Sequence, residues 1–427
     1  YEIRNCDWSS DVCSSDLIPP SMKIILIDDD GSESKQNATM MARFGFDAHY
    51  LKDGMSSWQG ELVKSGHDPS ISGDKLWNSI KGNDDVFLLD VREPQEFADF
   101  RIPGAVNIPL SQLFANDSLS QIPKDKKIIT ICSHGNRSMV ATFALAKNGL
   151  ESTSLIGGMS LWNQVLNCSI LKEGDITIMQ VEKIGKGCLS HIIGSNGEAI
   201  VIDPTYPPKK YVEFANEHGF KITKVIDTHQ HADHVSAAKE LTQISGAKLL
   251  LSGLEEYRLE SERISDGDTI TFGTKTLQAI HTPGHTPGGF TFVLDEKYVF
   301  SGDILFLEGI GRPDLRDNAE QFAANLYDTL HNKILKFGDE VKIFPTHHGE
   351  GVKPTKDGIF YTTVQNAKKL PLLDLNQSDF VSKVVSITTP RPMNYSIIIK
   401  INKGTIPISP EQIPDLEMGP NRCSVRM

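Results

Sequence analysis

The segment DTHQHADHVSA, residues 227–237, brings three histidines and one aspartate into six consecutive positions. His229 and His231 are two residues apart, so both side chains can point to the same side of an extended segment. Asp233 and His234 follow where the chain is expected to turn. Imidazole and carboxylate groups are common ligands of zinc and iron. The segment therefore predicts a metal site.

Three further candidate ligands stand at the ends of later strand-like runs: His285, Asp303 and His347. Each would reach the histidine-rich segment only in the folded chain. Together the two groups predict a centre built from seven side chains. Three other histidines lack such positions and are expected at the surface or around the site: His281, His331 and His348.

A second reactive group is predicted in the segment IITICSHGNRS, residues 128–138. Cys132 ends a strand-like run, a short loop follows, and a helix is expected to begin near Ser138. Successive backbone N–H groups and a helix N-terminus form a cradle for an anion, and Arg137 adds positive charge. Both features favour the thiolate form of a cysteine. The predicted cradle consists of Ser133, His134, Gly135, Asn136, Arg137 and Ser138.

The cysteine segment has an earlier counterpart in the chain. The stretches beginning IILIDDDG and IITICSHG align without a gap when the sequence is shifted by 104 positions. Such a repeat indicates two copies of one folding unit. In the first copy Asp28 stands where Cys132 stands, and Glu33 stands where Arg137 stands. A carboxylate cannot carry a sulfur atom, so the first copy is predicted to be inactive.

Length and composition set the broad limits. A chain of 427 residues predicts roughly two to four domains. The net charge of -12 argues against nucleic acid or an anionic membrane as the main partner. No apolar run is long enough to span a bilayer, and six scattered cysteines without a CxxC pair favour free thiols in a reducing cytoplasm. Residues 1–17 include DWSSDVCSSDL, which resembles a translated sequencing adapter, and are expected to be an artefact.

The segments LLDVREPQEF, IPGAVNIP, CSHGNRS and GGMSLW resemble a rhodanese domain, which would cover residues 72–167. Strands that alternate with helices in this stretch predict a parallel α/β sheet. The resemblance implies that Cys132 accepts a sulfane sulfur, becomes a persulfide and passes the sulfur on. It also makes residues 18–62 the C-terminal half of an inactive copy. One departure from the family is Arg101, where histidine is more usual.

Four later segments resemble the metallo-β-lactamase fold: DTHQHADH, IHTPGHTPGG, FSGDILF and KIFPTHHGEG. The resemblance would cover residues 172–370, and residues 371–427 would form a C-terminal extension. The expected fold class is therefore α/β, with rhodanese-like parallel α/β domains followed by a metallo-β-lactamase αββα sandwich. The family places its metal at one edge, between the two sheets.

This fold supports several chemistries, and two of them stay open here. In a persulfide dioxygenase, one Fe(II) is held by His229, His285 and Asp303, with open positions for O₂ and substrate. The other four residues would then tune the surroundings of the iron: His231, Asp233, His234 and His347. In a zinc-dependent thioester hydrolase of the glyoxalase II kind, all seven residues bind two Zn(II) ions, and Asp303 bridges them.

Three features favour the dioxygenase. The segment SGDILFLEGIGRPDL resembles that of persulfide dioxygenases, and so do PMNYSIIIKIN and PDLEMGPNRC near the C-terminus. The third feature is the fused rhodanese, which supplies a sulfur carrier. The expected reaction converts a low-molecular-weight, glutathione-like persulfide and O₂ into thiol and sulfite. Cys132 would either load the thiol with sulfur or convert the sulfite into thiosulfate.

Several roles have competing interpretations. Arg312 either binds a substrate carboxylate or forms a salt bridge with Asp314. A sulfur-relay scaffold with a purely structural metal is the non-enzymatic alternative to both enzymes. The proline-rich C-terminal extension is compatible with either a homo-oligomer contact or a loose tail.

Overall fold

The protein was analysed as a computed structural model, which describes residues 23–43, 47–59, 69–113, 118–314, 318–349, 351–387, 391, 394–420 and 423–425. The predicted artefact at residues 1–17 lies outside the described residues, as does part of the predicted half-domain at 18–62. The chain divides into two compact units, Tyr1–Leu161 and Trp162–Met427. The domain bounds inferred from the sequence stay predictions.

The first unit contains short strands that alternate with helices. Its elements are β1 (Ile24–Leu26), α1 (Ser32–Arg43), β2 (Ala48–Tyr50), β3 (Ser70–Ile71), α2 (Gly73–Lys81), β4 (Val86–Asp90), α3 (Pro94–Asp99), β5 (Val106–Asn107), β6 (Lys127–Ile131), α4 (Asn136–Lys147), β7 (Ser152–Leu155) and α5 (Gly158–Trp162).

Strands β3 to β7 form one parallel sheet in the order β3-β7-β6-β4-β5. Strand β6 lies in its interior and reads as an apolar run because a central parallel strand is covered on both faces. Leu89 of β4, Ile128 of β6 and Leu145 of α4 belong to one buried cluster. This sheet is the rhodanese-like domain, and β6 ends one residue before Cys132.

The repeat seen in the sequence recurs in the structure. Helices α1 and α4 begin and end 104 residues apart. Strands β1 and β2 pair in parallel, as their counterparts β6 and β7 do. The first copy has a small buried cluster of its own, made of Leu26, Ala38 and Met41.

The second unit is built on two sheets. Its strands are β8 (Leu166–Glu173), β9 (Ile176–Lys183), β10 (Cys188–Ser195), β11 (Glu198–Ile202), β12 (Lys221–Ile226), β13 (Lys248–Ser252), β14 (Glu262–Ile264), β15 (Thr269–Phe272), β16 (Lys275–His281), β17 (Phe290–Leu294), β18 (Tyr298–Gly302), β19 (Ile310–Gly311), β20 (Lys342–Pro345), β21 (Thr362–Thr363) and β22 (Ser424–Val425).

Its helices are α6 (Lys209–Glu217), α7 (Ala238–Ser245), α8 (Ala319–Asn332), α9 (Val364–Ala367), α10 (Gln377–Ser386), α11 (Tyr395–Asn402) and α12 (Ile413–Leu416). Single turns of 3-10 helix occupy Met55–Ser57, Ser118–Gln121, Ile334–Lys336, Pro371–Asp374 and Pro410–Gln412. No helix in the described part of the chain is long and apolar enough to cross a membrane.

The two sheets stack face to face between helices. One has the order β14-β13-β12-β11-β10-β9-β8 and the other β15-β16-β17-β18-β20-β21. Successive side chains of a strand point to opposite faces. Accordingly Ile193 of β10 packs with Phe300 of the other sheet, whereas the neighbouring Ile192 packs with Tyr211 of α6. On the far side of the second sheet, Val299 packs with Leu326 of α8. The order of layers is therefore helix, sheet, sheet, helix, as in the metallo-β-lactamase fold.

Candidate active sites

The metal loop, defined as residues 227–234, follows directly after strand β12. It has no regular secondary structure, so side chains supply several of its backbone hydrogen bonds. Asp203, just after β11, provides two of them: its carboxylate accepts from the N–H of Thr228 at 2.7 Å and from the Thr228 hydroxyl at 2.9 Å. The start of the loop is thereby fixed at the end of the seven-stranded sheet.

His229, His285 and Asp303 converge on one point, and we call these residues the triad. The Oδ2 atom of Asp303 lies 3.7 Å from His229 Nε2 and 3.4 Å from His285 Nε2. All three side chains are buried, and these three atoms have no hydrogen-bond partner among the described residues. Unpaired buried polar atoms are costly and rare. Two imidazoles and one carboxylate that share an unpaired centre fit a divalent metal ion.

The opposite atom of each triad side chain is held by the protein. His229 Nδ1 is 2.9 Å from the Thr228 hydroxyl, and His285 Nδ1 is 2.8 Å from the carbonyl oxygen of Arg312. Burial lowers the pKa of both His229 and His285, which keeps the imidazoles neutral and able to donate a lone pair. A partner on one ring nitrogen sets which nitrogen faces the metal.

Asp303 is oriented through its other oxygen. Oδ1 lies 2.7 Å from His347 Nδ1 and also accepts from the Thr346 hydroxyl. Burial by itself would raise the pKa of Asp303, but the charge of His347 and its hydrogen bond outweigh that effect and lower it. Asp303 is therefore a carboxylate with one oxygen engaged and one directed at the triad centre.

A second cluster lies beside the triad and contains Cys188, Asp233, His234 and His347. Several of its atoms are paired with one another, whereas His234 Nε2 is buried without a hydrogen-bond partner among the described residues. His347 Nε2 is 2.9 Å from Asp233 Oδ2, and His234 Nδ1 is 3.1 Å from Asp233 Oδ1. Burial would lower the pKa of His234, but the charge of Asp233 raises it to about 10. As described, this cluster is an internal hydrogen-bonded ion network.

Cys188 was not among the ligands predicted from the sequence. It begins strand β10, forms a β-bridge with His347 and places its sulfur 3.6 Å from Asp233 Oδ2. No spacing pattern points to it, because it precedes the metal loop by about forty residues and comes from a different strand. Burial would raise the pKa of the Cys188 thiol, but the charge of His347 lowers it to about 7.

His231 bonds to Asp203 through one ring nitrogen, while its Nδ1 atom is buried without a partner among the described residues. Its Nε2 atom is 3.0 Å from Asp203 Oδ1, and Asp227 lies at 4.0 Å. These three residues form a separate buried cluster. Burial raises the pKa of Asp227 to about 6. The seven predicted ligands thus fall into three groups, and outside the triad His231 Nδ1 and His234 Nε2 are also buried without a hydrogen-bond partner among the described residues.

Gly311 brings the loop after β18 against the triad. A Cβ atom added at this position would lie 1.8 Å from the carbonyl oxygen of Asp303 and 3.2 Å from His285 Cβ. We expect Gly311→Ala to displace Asp303 and lower the affinity for a divalent metal ion by about tenfold or more, since overpacking a tight site costs about 1–3 kcal/mol. Metal content after a chelator challenge measures the effect. Gly338→Ala, whose Cβ would meet only Val341 at 3.9 Å, is the matched control; equal loss in both variants would contradict the prediction.

Arg312 is buried and bonded within the protein. Its Nε and Nη2 atoms donate to the two oxygens of Asp314, each at 2.7 Å. Only 1% of its side chain is exposed, and its carbonyl oxygen accepts from His285. This geometry supports the salt bridge, while a role in substrate binding stays a prediction.

In the rhodanese-like domain, Cys132 lies at the mouth of the predicted cradle. Its sulfur accepts from the N–H of Gly135 at 3.1 Å and from the Ser138 hydroxyl at 3.4 Å. Gly135 precedes helix α4 with a φ of 96°, a left-handed conformation that glycine adopts without strain. The sulfur is thus close to the helix N-terminus, where a negative charge is stabilised. Asn136 and His134 are exposed at the rim of the loop.

Arg137 is held beside the cradle by Glu96, a partner that the sequence did not single out. Its guanidinium donates to both oxygens of Glu96, at 2.8 and 2.7 Å, and the Ser133 hydroxyl donates to Glu96 Oε1 at 2.7 Å. Partial burial would raise the pKa of Glu96, but the bonds from Arg137 and Ser133 lower it to about 2. Glu96 belongs to the EPQEF segment, which carries part of the resemblance to the rhodanese family.

The Glu96–Arg137 pair sets a pH dependence. Because the pKa of Glu96 in the folded protein is about 2, below its usual 4.5, its contribution to stability is present above pH 4.5 and lost as the pH falls towards 2. We expect Glu96→Gln to lower the free energy of unfolding at neutral pH by less than about 1 kcal/mol, because the pair is half-exposed and screened. The difference from wild type should shrink on acidification. Urea unfolding at several pH values measures it, with exposed Glu151→Gln as control; a difference that grows in acid would refute this assignment.

In the first copy of the repeat, the cradle is filled by the protein itself. The Asp28 carboxylate accepts from the N–H groups of Glu33 and Ser34, at 2.8 and 3.1 Å, and from the Ser34 hydroxyl at 2.7 Å. The Ser34 hydroxyl corresponds to the Ser138 hydroxyl that bonds to Cys132, and the two N–H groups correspond to those of Arg137 and Ser138 in the same loop. The anion site of the first copy is therefore closed by its own carboxylate.

The fold and these sites define a metallo-β-lactamase-fold unit together with a rhodanese-like domain. Residues 185–348 match the family model of the metallo-β-lactamase superfamily, and residues 72–165 match that of the rhodanese-like domain. The chain therefore belongs to the metallo-β-lactamase superfamily and carries a rhodanese-like domain.

Its relatives include two kinds of enzyme. The chain is 31% identical over 209 residues to the mitochondrial persulfide dioxygenases of Mus musculus and Homo sapiens, a match that covers 48% of this chain and 78% of each relative. It is 32% identical over 164 residues to a hydroxyacylglutathione hydrolase of Rhizobium etli, covering 38% of this chain and 61% of the relative. The crystal structure of a metallo-β-lactamase from Staphylococcus aureus matches 55% of this chain and 75% of its own, with 29% identity and a TM-score of 0.51.

Proposed function

We propose that this protein is a persulfide dioxygenase coupled to a sulfurtransferase. The reaction is R–S–SH + O₂ + H₂O → R–SH + SO₃²⁻ + 2H⁺, in which the terminal sulfur loses four electrons and O₂ gains them. The substrate we propose is a low-molecular-weight, glutathione-like persulfide. The relatives named persulfide dioxygenase, of which the chain covers 78%, support this choice.

The triad carries the proposal. His229, His285 and Asp303 present three buried, unpaired atoms to one centre, which suits a single Fe(II). Iron bound there would supply the redox chemistry and open positions for O₂ and substrate. The protein's own part is orientation: Thr228 and the Arg312 carbonyl set the two imidazoles, and His347 engages the outer oxygen of Asp303.

Cys132 would connect this reaction to sulfur transfer. As a persulfide it could pass sulfur to sulfite, Cys–S–S⁻ + SO₃²⁻ → Cys–S⁻ + S₂O₃²⁻, or to a thiol that becomes the next substrate. In both directions the leaving group is the Cys132 thiolate, which the N–H of Gly135 and the Ser138 hydroxyl are placed to stabilise. The described part of the chain has four free thiols: Cys132, Cys168, Cys188 and Cys423. Free thiols support the reducing cytoplasmic setting that we propose.

A two-zinc thioester hydrolase is the second candidate. The side chains that would bind a second ion, Asp233, His234 and His347, do lie together beside the triad. The hydroxyacylglutathione hydrolase relative supports the same chemistry. The contact of Asp303 Oδ1 with His347 engages the oxygen that would bridge two ions and counts against this candidate. The buried, unpaired Nδ1 of His231 and Nε2 of His234 count in its favour.

Oxygen uptake separates the two functions. Protein purified anaerobically and loaded with Fe(II) should consume O₂ when glutathione persulfide is added, and one sulfite should appear for each O₂ consumed. Its iron content should be one ion per chain. Absence of uptake, together with two zinc ions per chain and hydrolysis of S-lactoylglutathione, would reject the dioxygenase in favour of the hydrolase.

A further inference from the structure

We propose that the C-terminal extension holds the metal loop in position. Asn402 and Glu417 are the positioning residues. The inference rests on the metal-binding role proposed for that loop. The match to the metallo-β-lactamase family model ends at residue 348, so both side chains lie beyond the matched region. They nevertheless bond directly to the backbone on which His231 and His234 stand.

Asn402, at the end of helix α11, spans the last part of the loop. Its Nδ2 atom donates to the carbonyl oxygens of His231 at 3.0 Å and His234 at 2.9 Å. Its Oδ1 atom accepts from the N–H of Ser236 at 2.9 Å. The side chain is 7% exposed, so water is a poor substitute for these bonds. One amide thus satisfies three backbone groups of a segment without regular secondary structure.

Glu417 holds the next residue of the same segment. Its Oε1 atom accepts from the N–H of Val235 at 2.6 Å, and its Oε2 atom pairs with Lys183. Its carbonyl oxygen accepts from Lys186 Nζ at 2.8 Å and from Asn163 Nδ2 at 3.0 Å. A fully buried carboxylate is tolerated only when its oxygens are bonded in this way. The charge pair therefore fixes Glu417 to strand β9 and, through it, Val235 to the sheet.

The extension also reaches the loop on the other side of the triad. Strand β22 pairs with β19, which carries Gly311. The carbonyl oxygen of Cys423 accepts from the N–H of Arg312 at 3.1 Å, and the Arg312 carbonyl is the partner of His285. Apolar contact joins Ile413 of α12 to Val235. The backbones on both sides of the triad are thus held by one C-terminal segment.

This arrangement predicts an effect on metal affinity that exceeds the effect on folding. Residues that orient metal ligands from outside typically change metal affinity by about 10–100-fold when they are replaced. Asn402→Ala removes two hydrogen bonds from the metal loop and one from Ser236, which follows it, but no ligand. Asn376→Ala is the matched control: Asn376 caps helix α10 of the same extension by accepting from the N–H of Asp379 at 3.0 Å, far along the chain from the metal loop.

The test compares Fe(II) and Zn(II) affinities of the two variants with wild type by competition with a chelator. The electron paramagnetic resonance spectrum of the Fe(II) protein with added nitric oxide reports the ligand arrangement, and thermal unfolding reports stability. We expect Asn402→Ala to bind both ions about tenfold more weakly and to show an altered spectrum. Asn376→Ala should lose stability, as capping losses do, but keep wild-type affinity and spectrum.

Two results would overturn the proposal: wild-type affinity and spectrum in Asn402→Ala, or the same loss of affinity in Asn376→Ala. If Asn402→Ala does not fold, Asn402→Ser, which fills part of the space and keeps a hydroxyl, takes its place with the same criteria. Metal binding is measured without persulfide or O₂. A wild-type protein that binds metal but consumes no O₂ would therefore reject the proposed function and leave this inference standing.

Discussion

Replacing His285 with alanine is expected to abolish oxygen uptake while sulfur transfer continues. The substitution removes one of the three unpaired donor atoms of the triad and leaves the Arg312 carbonyl without its partner. We expect the rate of persulfide oxidation to fall at least about 10³-fold, equivalent to about 4 kcal/mol. Cys132 keeps all of its neighbours, so the sulfurtransferase rate should stay within about twofold of wild type. Both rates are measured on one preparation, with iron content determined beside them.

His331→Ala is the matched control for this change. His331 lies on helix α8, and its two ring nitrogens bond to the carbonyl oxygens of Tyr327 and Leu373, each at 3.0 Å. The variant loses a partly buried histidine that makes two bonds to the backbone, but it keeps every triad atom. It therefore reports a general loss of stability. Oxygen uptake that survives in His285→Ala, or that disappears equally in His331→Ala, would exclude the triad as the iron site.

The second large effect is expected at Cys132, and it is the opposite of the effect of His285→Ala. Cys132→Ser should abolish sulfur transfer, because a serine hydroxyl in the same cradle cannot carry sulfane sulfur. Oxygen uptake with added glutathione persulfide should stay within about twofold of wild type. The loss should reach the detection limit, since the first copy of the repeat offers only Asp28 at the equivalent position. The assay follows sulfur transfer from thiosulfate to cyanide together with oxygen consumption.

Cys168→Ser is the control for a general effect of removing a thiol, since Cys168 lies on strand β8 of the other unit. The products of Cys132→Ser also reveal the direction of sulfur flow. Sulfite that accumulates without thiosulfate would place Cys132 after the oxidation step. Sulfur transfer that persists in Cys132→Ser would contradict the role proposed for this cysteine.

Much of the site was predictable because its signals are local. The spacing within DTHQHADH and the loop CSHGNRS each lie on a few consecutive residues, whose backbone geometry follows from strand, turn and helix periods. The internal repeat was equally predictable from the sequence, and α1 and α4 do occupy the same positions of their copies, 104 residues apart. The prediction that the first copy is inactive rests on two local substitutions, Asp28 for Cys132 and Glu33 for Arg137. The fold class was confirmed by the sheets and by the family matches.

The sequence by itself thus determined which residue types are present, in which local order, and the folds that such segments build. Only the tertiary structure decided how the seven candidate ligands divide: the triad directs three unpaired atoms at one centre, Asp203 engages Nε2 of His231, and His347 engages the outer oxygen of Asp303. The partners Glu96, Cys188, Asn402 and Glu417 also emerged only there. The physical reason is that each of these contacts joins residues far apart in the chain, and the packing of sheets and of the C-terminal extension sets their distances. No local periodicity encodes such a contact.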